Sequence, residues 1–177
     1  MINLDKWLMT QIGDKMIDVL KEVTDYASQP HIEGLHDLRE DGLIYPYHDP
    51  VGFPTIGYGT LLSNEEWADL SQWQPMTQEE CWNALKSEMK KKMDYALQYS
   101  TNLVEDYNAW RLVAITDFIY NLGQGAYKNS TLRKRVNAEQ WDLAAVEIKR
   151  WNKAGGKVLK GLDNRRKEEA EMLLKDA

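Results

Sequence analysis

The stretch "REDGLIYPYHDPVGFPTIGYGT", Arg39 to Thr60, is crowded with Gly, Pro and Tyr and carries few charges. It alternates apolar and polar residues only loosely, is rich in strand formers, and is cut by "DPVG", a turn sequence. It reads as a small antiparallel sheet of two or three short strands. Glu40 and Asp49 lie in it with eight residues between them, and Thr55 follows after five more. Two carboxylates and a hydroxyl on so tight a segment call for an explanation.

The flanks read as helix. Upstream, residues 3–26 carry Leu4, Leu8, Ile12, Met16 and Leu20 at four-residue steps, with Val23 next, which predicts an amphipathic helix. Pro30 in "SQPH" breaks it. "IEGLHDLRE" then predicts a short helix ending before Gly42. Downstream, "SNEE" at 63–66 and "TQEE" at 77–80 fit capping boxes. The second opens a long helix with Trp82, Leu85, Met89, Met93 and Leu97 on one stripe. "WRLVAITDFIYNLG", 110–123, is apolar nearly all round, so it predicts a buried central helix stopped by Gly123. A further helix, capped by Asn137, places Trp141, Ala144, Ala145, Ile148 and Trp151 at helical spacing and ends at "AGGK". The last helix runs from about Asp163 to Leu174. One sheet, one long helix and a helical cluster make an α+β chain with segregated parts. The expected divisions are an extra N-terminal helix (1–30), a β-containing lobe (31–76), a connecting helix (77–99) and a helical lobe (100–177), within a single domain.

The chain has 177 residues, 43% of them hydrophobic, enough for one well-formed core. Its single cysteine, Cys81, cannot form an internal disulfide and reads as a packed, half-buried thiol. Asp5, Lys6, Asp14, Lys15 and Asp18 interrupt any apolar N-terminal run, so no signal peptide is expected, and no segment is apolar enough to span a bilayer. A cytoplasmic location before any release is therefore the expectation. The net charge of −6 is uneven: residues 1–127 hold 9 basic and 20 acidic groups, residues 128–177 hold 13 and 8. The second part is either a face that attracts polyanions or a solvated helical surface. Nucleic acid is a poor partner, since there is no zinc pattern, RNA-binding signature or arginine tract. His31, His36 and His48 lack a ligand set, so neither metal nor other cofactor is expected.

Two carboxylates flanking a cleft are the equipment for splitting a glycosidic bond. One holds a proton for the leaving oxygen; the other stays ionised, to act on water or to offset positive charge. Glu40, leaving a helix end, is the candidate buried acid. Asp49, at a turn of the sheet, is the candidate ionised partner, and Thr55 on the next strand is placed to hold a water. The plainer alternative is a surface Glu, a turn-capping Asp before Pro50 and a β-branched strand residue.

The surrounding sequence favours the chemistry. "YPYHDPVGFPTIGYGTLL" strongly resembles the phage-type lysozymes, the endolysins of glycoside hydrolase family twenty-four. Their signature is Glu, eight residues, Asp, five residues, Thr, with Tyr two before the Asp and an ending close to TIGYG. Glu40, Tyr47, Asp49, Thr55 and "TIGYG" at 55–59 fall in place. "AITDFIYNLGQGAYKNSTLRKRVN" and "RWNKAGGKVLKGLDNRRKEEAEMLL" are similar to the family's helical lobe. The resemblance covers roughly Leu35 to the C-terminus. One departure stands out: Gly usually follows the catalytic Glu, whereas Asp41 follows Glu40. Glu33 is followed by "GL", but taking it requires seven extra residues before Tyr47 and leaves little room after Pro30 for the family's preceding helix. Glu40 is taken as the acid.

The resemblance implies hydrolysis of the β-1,4 bond between N-acetylmuramic acid and N-acetylglucosamine in peptidoglycan, on a lysozyme-like fold with the cleft between two lobes. Glu40 would be the general acid; Asp49 and Thr55 would position water or stabilise the oxocarbenium-like transition state. Tyr47, Leu61, Tyr120 and Ser130 would line the sugar cleft. Core packing for Leu61 and Tyr120, and helix capping for Ser130 with Thr131 in its place, are the alternatives. Arg165 would pair with Glu40, with Arg166 in reserve. The implied partner is bacterial peptidoglycan, reached by a monomer that waits in the host cytoplasm, does not insert stably into the membrane, and depends on a separate holin-type pore protein. The rival readings are a lytic transglycosylase or chitinase on the same fold, and a non-catalytic wall-binding or assembly protein.

Overall fold

The long helix Gln78–Tyr99 begins where its sequence says it must. Thr77 Oγ1 accepts the Glu80 N–H at 3.2 Å, and the Glu80 carboxylate returns to the Thr77 N–H at 2.8 Å, so two otherwise unpaired donors are satisfied reciprocally. Leu85, Met89 and Met93 of the expected stripe are buried, joined by Cys81 and Ala96, while Trp82 and Leu97 are half-buried. Cys81 is buried completely rather than by half.

This computed structural model describes residues 21–22, 24–27, 29, 35–105 and 108–175. Residues 21, 22 and 24–26 of the predicted 3–26 helix are helical; its Leu4–Leu20 stripe, together with Pro30, His31 and Glu33, lies outside the described residues. One compact unit runs over Thr24–Glu88, and a second is built on the chain from Met89 onward.

In the first unit three short strands, Tyr47–His48 (β1), Pro54–Ile56 (β2) and Thr60–Leu61 (β3), form an antiparallel sheet in the order β1-β2-β3. Tyr47 pairs with Thr55, and Thr55 with Leu61. Opposed residues share a face, so these three side chains stand in one row. Gly57, in the turn after β2, has φ +64, and a Cβ there would meet Cys81 Sγ at 2.7 Å and Cβ at 2.9 Å. Both the backbone and the space exclude a side chain. Gly57→Ala is therefore expected to cost about 2–4 kcal/mol in urea unfolding. Adding Cys81→Ala should recover part of it; no recovery would mean that the contact with the thiol is not the cause.

Two helical expectations fail here. "IEGLHDLRE" gives no helix over residues 35–40: Asp37 takes φ +56, outside the helical region, and the chain turns into a hairpin. "SNEE" gives bends in which Ser63 Oγ accepts the Glu65 N–H; the next helical turn, Leu70–Gln72, is capped instead by Asp69.

The second unit is helical around Ala109–Leu122, in which Leu112 through Ile119 are all buried. Asn108 caps it, and Gly123, at φ +85, ends it. Gln124–Lys128, Thr131–Asn137, Trp141–Ile148 and Lys160–Leu174 pack around it or on one another. Phe118 lies edge-on to Trp151, centroids 5.4 Å apart. Asn137 does not cap the Trp141 helix; it ends the preceding one, donating to Tyr99 O and accepting from Ser100. "KAGGKV" forms an exposed hairpin, Lys153–Ala154 (β4) with Lys157–Val158 (β5), and the last helix starts at Lys160.

Candidate active site

The row of Tyr47, Thr55 and Leu61 becomes a wall of a cavity of about 560 Å³ in the first unit. Asp49, Phe53, Pro50, Gly59 and His36 complete the lining. The strand period of two explains the grouping: Tyr47 and Asp49, like Phe53 and Thr55, point to one face. Ile56, on the opposite face, is buried. Asp49 and Thr55 are diagonal neighbours across the β1–β2 ladder, a relation that spans ~7–8 Å.

The Asp49 carboxylate is held by its own turn. Oδ1 accepts the Val51 N–H at 3.0 Å and the Phe53 N–H at 2.8 Å, while the backbone closes through Gly52 N–H to Asp49 O at 3.0 Å. That is the expected turn-capping Asp, yet only one oxygen is used. Oδ2 has no hydrogen bond among the described residues, and the side chain lines the cavity. The other side of the turn is braced by Trp67: its N–H reaches Gly52 O at 2.8 Å, and a Cβ on Gly52 would lie 2.5 Å from the indole. Thr55 is buried, and its hydroxyl donates to Phe53 O at 3.0 Å. Its proton is committed, so Oγ1 meets any further partner as an acceptor. His36 is fixed through its N–H to Gly57 O at 3.2 Å, with its ring 5.3 Å from that of Tyr47.

Glu40 is not part of this group. It sits exposed in the turn of a hairpin, not buried at a helix end, and it does not line the cavity.

Arg165 belongs to the second unit, where it is buried and bound bidentately by Asp117: Nε to Oδ2 at 2.8 Å and Nη2 to Oδ1 at 2.7 Å. Arg166, its reserve, is buried against Glu169 and Phe118. Burial pushes the Asp117 carboxyl up, but the Arg165 charge and hydrogen bonds hold it below the ordinary range. Burial and the Asp117 charge push Glu169 well above it. Tyr120 is half-buried. Ser130 is buried and acts as a helix cap: Oγ accepts the Arg133 N–H at 2.9 Å and donates to Tyr127 O at 2.8 Å. Thr131 is the first helical residue and is exposed.

Sequence reasoning missed Phe53, Pro50, Gly59 and His36 as lining, and Asp117 altogether. Strand alternation from Thr55 back to Phe53 was the signal for one. For Asp117 it was a lone carboxylate inside an apolar helix, which demands a buried cation. Among the described residues no three His, Cys, Asp or Glu side chains form a group able to hold a metal. No helix among them is long and apolar enough to cross a membrane.

Residues 40–169 match the family described as phage lysozyme. An endolysin of Bacillus phage B103 is 35% identical over 120 residues, 68% of this chain and 43% of its own length. The chain thus spans about two fifths of the Bacillus phage endolysins it matches. A SAR-endolysin of bacteriophage PS119 is 31% identical over 142 residues, 80% of this chain and 78% of that protein. Among solved structures, an endolysin from Escherichia coli O157:H7 phage FAHEc1 has a TM-score of 0.65 at 26% identity and covers 88% of this chain and 90% of its own. The fold is lysozyme-like and α+β.

Proposed function

Because the chain belongs to the phage lysozyme family, we propose that it is a peptidoglycan hydrolase, a phage endolysin that cleaves the β-1,4 bond between N-acetylmuramic acid and N-acetylglucosamine. The observation that carries this reading is Asp49 with one carboxylate oxygen uncommitted, diagonal to Thr55 on the face that lines a sugar-sized cavity. A water that donates to Thr55 Oγ1 and to Asp49 Oδ2 keeps a lone pair for the anomeric carbon. The same carboxylate offsets positive charge in an oxocarbenium-like transition state. Tyr47 and Leu61 offer the sugar an aromatic and an aliphatic surface. Thr55→Ala is expected to lower kcat more than it raises KM, since it removes an acceptor used in the transition state.

The general acid in this reading is Glu33. Asp37 and Tyr45 are hydrogen-bonded to each other, so residues 38–44 are an excursion that leaves the chain and rejoins it. Without those seven residues, Glu33 stands nine positions before Asp49, the separation that Glu40 has only by counting through the excursion. Glu33 is followed by Gly34 and lies three residues before the cavity residue His36.

Tyr120 and Ser130 remain candidates for further sugar contacts, although the Ser130 hydroxyl already serves its helix. The enzyme acts as a monomer, and a separate holin-type pore gives it access from the host cytoplasm to the wall. The deciding experiment is clearing of purified bacterial walls by the purified chain, with analysis of the products. New reducing ends mean hydrolysis; anhydro-sugars mean a transglycosylase; intact walls mean a binding protein.

A further inference from the structure

The turn that holds Asp49 is gripped from behind by the segment that follows the sheet. Trp67 N–H donates to Gly52 O at 2.8 Å. The His48 ring lies 5.1 Å from the indole, and its Nε2 donates to Ala68 O at 3.0 Å. Residues 67 and 68 thereby hold the chain on both sides of Asp49. The peptide that joins Gly52 to Phe53 carries the effect inward. Its carbonyl accepts from Trp67, and its N–H donates to Asp49 Oδ1 at 2.8 Å. A peptide is flat, so fixing the direction of the carbonyl fixes that of the N–H. Burial does not explain why a tryptophan stands here, since its side chain is 66% exposed. Its backbone is left-handed, φ +59, a conformation that a bulky residue rarely adopts. What the indole does touch is Gly52, itself at φ +99: a Cβ there would lie 2.5 to 2.9 Å from three atoms of the ring. Strain and exposure are thus accepted together at the point of contact with the turn that carries Asp49.

We propose that Trp67 is a positioning residue: through Gly52 and the Phe53 N–H it aims the Asp49 carboxylate at the reacting sugar. The inference rests on the hydrolase reading above and on Asp49 acting in it. Trp67 does not line the cavity. Its ring packs on His48, which points to the opposite face of the strand from Tyr47 and Asp49. The indole is therefore placed to act on the turn and not on the glycan. The hydrogen bonds run in series, from Trp67 N–H through the Gly52–Phe53 peptide to the carboxylate, and bonds in series strengthen one another. The contribution belongs to kcat, because a carboxylate that offsets positive charge is used in the transition state and not in ground-state binding.

Trp67→Gly separates the ring from the backbone: glycine keeps the N–H and adopts the left-handed conformation freely, so only the indole is lost. On purified bacterial walls it should lower kcat about tenfold, the scale of a slightly displaced catalytic group, with KM within about twofold of wild type. Trp67→Phe, which returns a ring to Gly52, should bring kcat back to within about threefold. The deciding comparison is made in Asp49→Asn. There Trp67→Gly should change the residual kcat less than about twofold, because no charge is left to aim. Should Trp67→Gly melt below the assay temperature, Trp67→Asn carries the same expectations, since asparagine tolerates a left-handed backbone. Equal fold losses in the two backgrounds would overturn this proposal alone. So would an unchanged kcat, and a raised KM beside it would make Trp67 a sugar contact. A folded wild-type chain inactive on walls would sink the hydrolase reading. A fully active Asp49→Asn would remove Asp49 from that reading, and the role of Trp67 with it.

Discussion

Glu33→Gln is expected to reduce wall hydrolysis by ~10²–10⁴-fold, the contribution of general acid catalysis, while Glu40→Gln keeps activity within about fivefold of wild type. Glutamine preserves size and hydrogen bonding but has no proton to give the departing sugar oxygen. Asp49→Asn should approach the Glu33 variant in severity, because it removes the negative charge facing the developing oxocarbenium ion without altering the turn that holds residue 49. The measurement is the initial rate of wall clearing, with a thermal melt for each variant so that an unfolded protein is not mistaken for a dead one. A folded, inactive Glu40→Gln beside an active Glu33→Gln would reverse the assignment. It would require the hairpin to carry the acid from a solvent-exposed turn. Full activity in both would remove the two-carboxylate mechanism.

The difference between the two glutamates shows where local sequence stops being informative. Leu35 and Leu38 precede Glu40 at helical offsets, and the Glu–Asp–Thr spacing is satisfied through Glu40. What decides the segment is not local. Ile44 pairs with Met76, more than thirty residues away, and Asp37 adopts a left-handed backbone that closes the hairpin. No window over residues 31–40 contains either fact. By contrast, the sheet was legible as short antiparallel strands, because strand formers and the "DPVG" turn mark it locally, while its loose alternation left the shared face of Tyr47, Asp49 and Thr55 unread. The Thr77–Glu80 box and the Ala109–Leu122 helix were legible for the same reason. The Lys153–Val158 hairpin was missed although Gly155-Gly156, both at positive φ, is a turn signal, since its strands are exposed and show no apolar alternation.

Asp117→Ala is expected to destabilise the protein by about 3–5 kcal/mol, the cost of leaving a buried ion without its partner. Asp117, Arg166 and Glu169 are fully buried and Arg165 nearly so, which puts two cations and two carboxyls in the core of the second unit. Asp117 gives both of its oxygens to Arg165. Glu169 gives one oxygen to Arg166, and its other, Oε2, meets no donor among the described residues. The Asp117 and Glu169 carboxyls interact, and Glu169, pushed well above the ordinary range, holds the proton between them. The two carboxyls then act on stability in opposite directions. Asp117, depressed by Arg165, contributes stability that is present above the ordinary carboxylate range and is lost as pH falls through its folded pKa. Glu169, raised by burial and by Asp117, contributes stability that is present in acid and is lost as pH rises from the ordinary range toward its folded pKa. Urea midpoints across pH should therefore decline on both sides. Glu169→Gln should remove the decline on the high-pH side, because glutamine keeps an oxygen for Arg166 and an N–H for Asp117 without a proton to lose. It should match the wild type in acid and exceed it at pH 8. A Glu169→Gln variant weaker than the wild type at pH 8 would show that Glu169 is ionised in the core, and that its charge, not its proton, holds the two arginines.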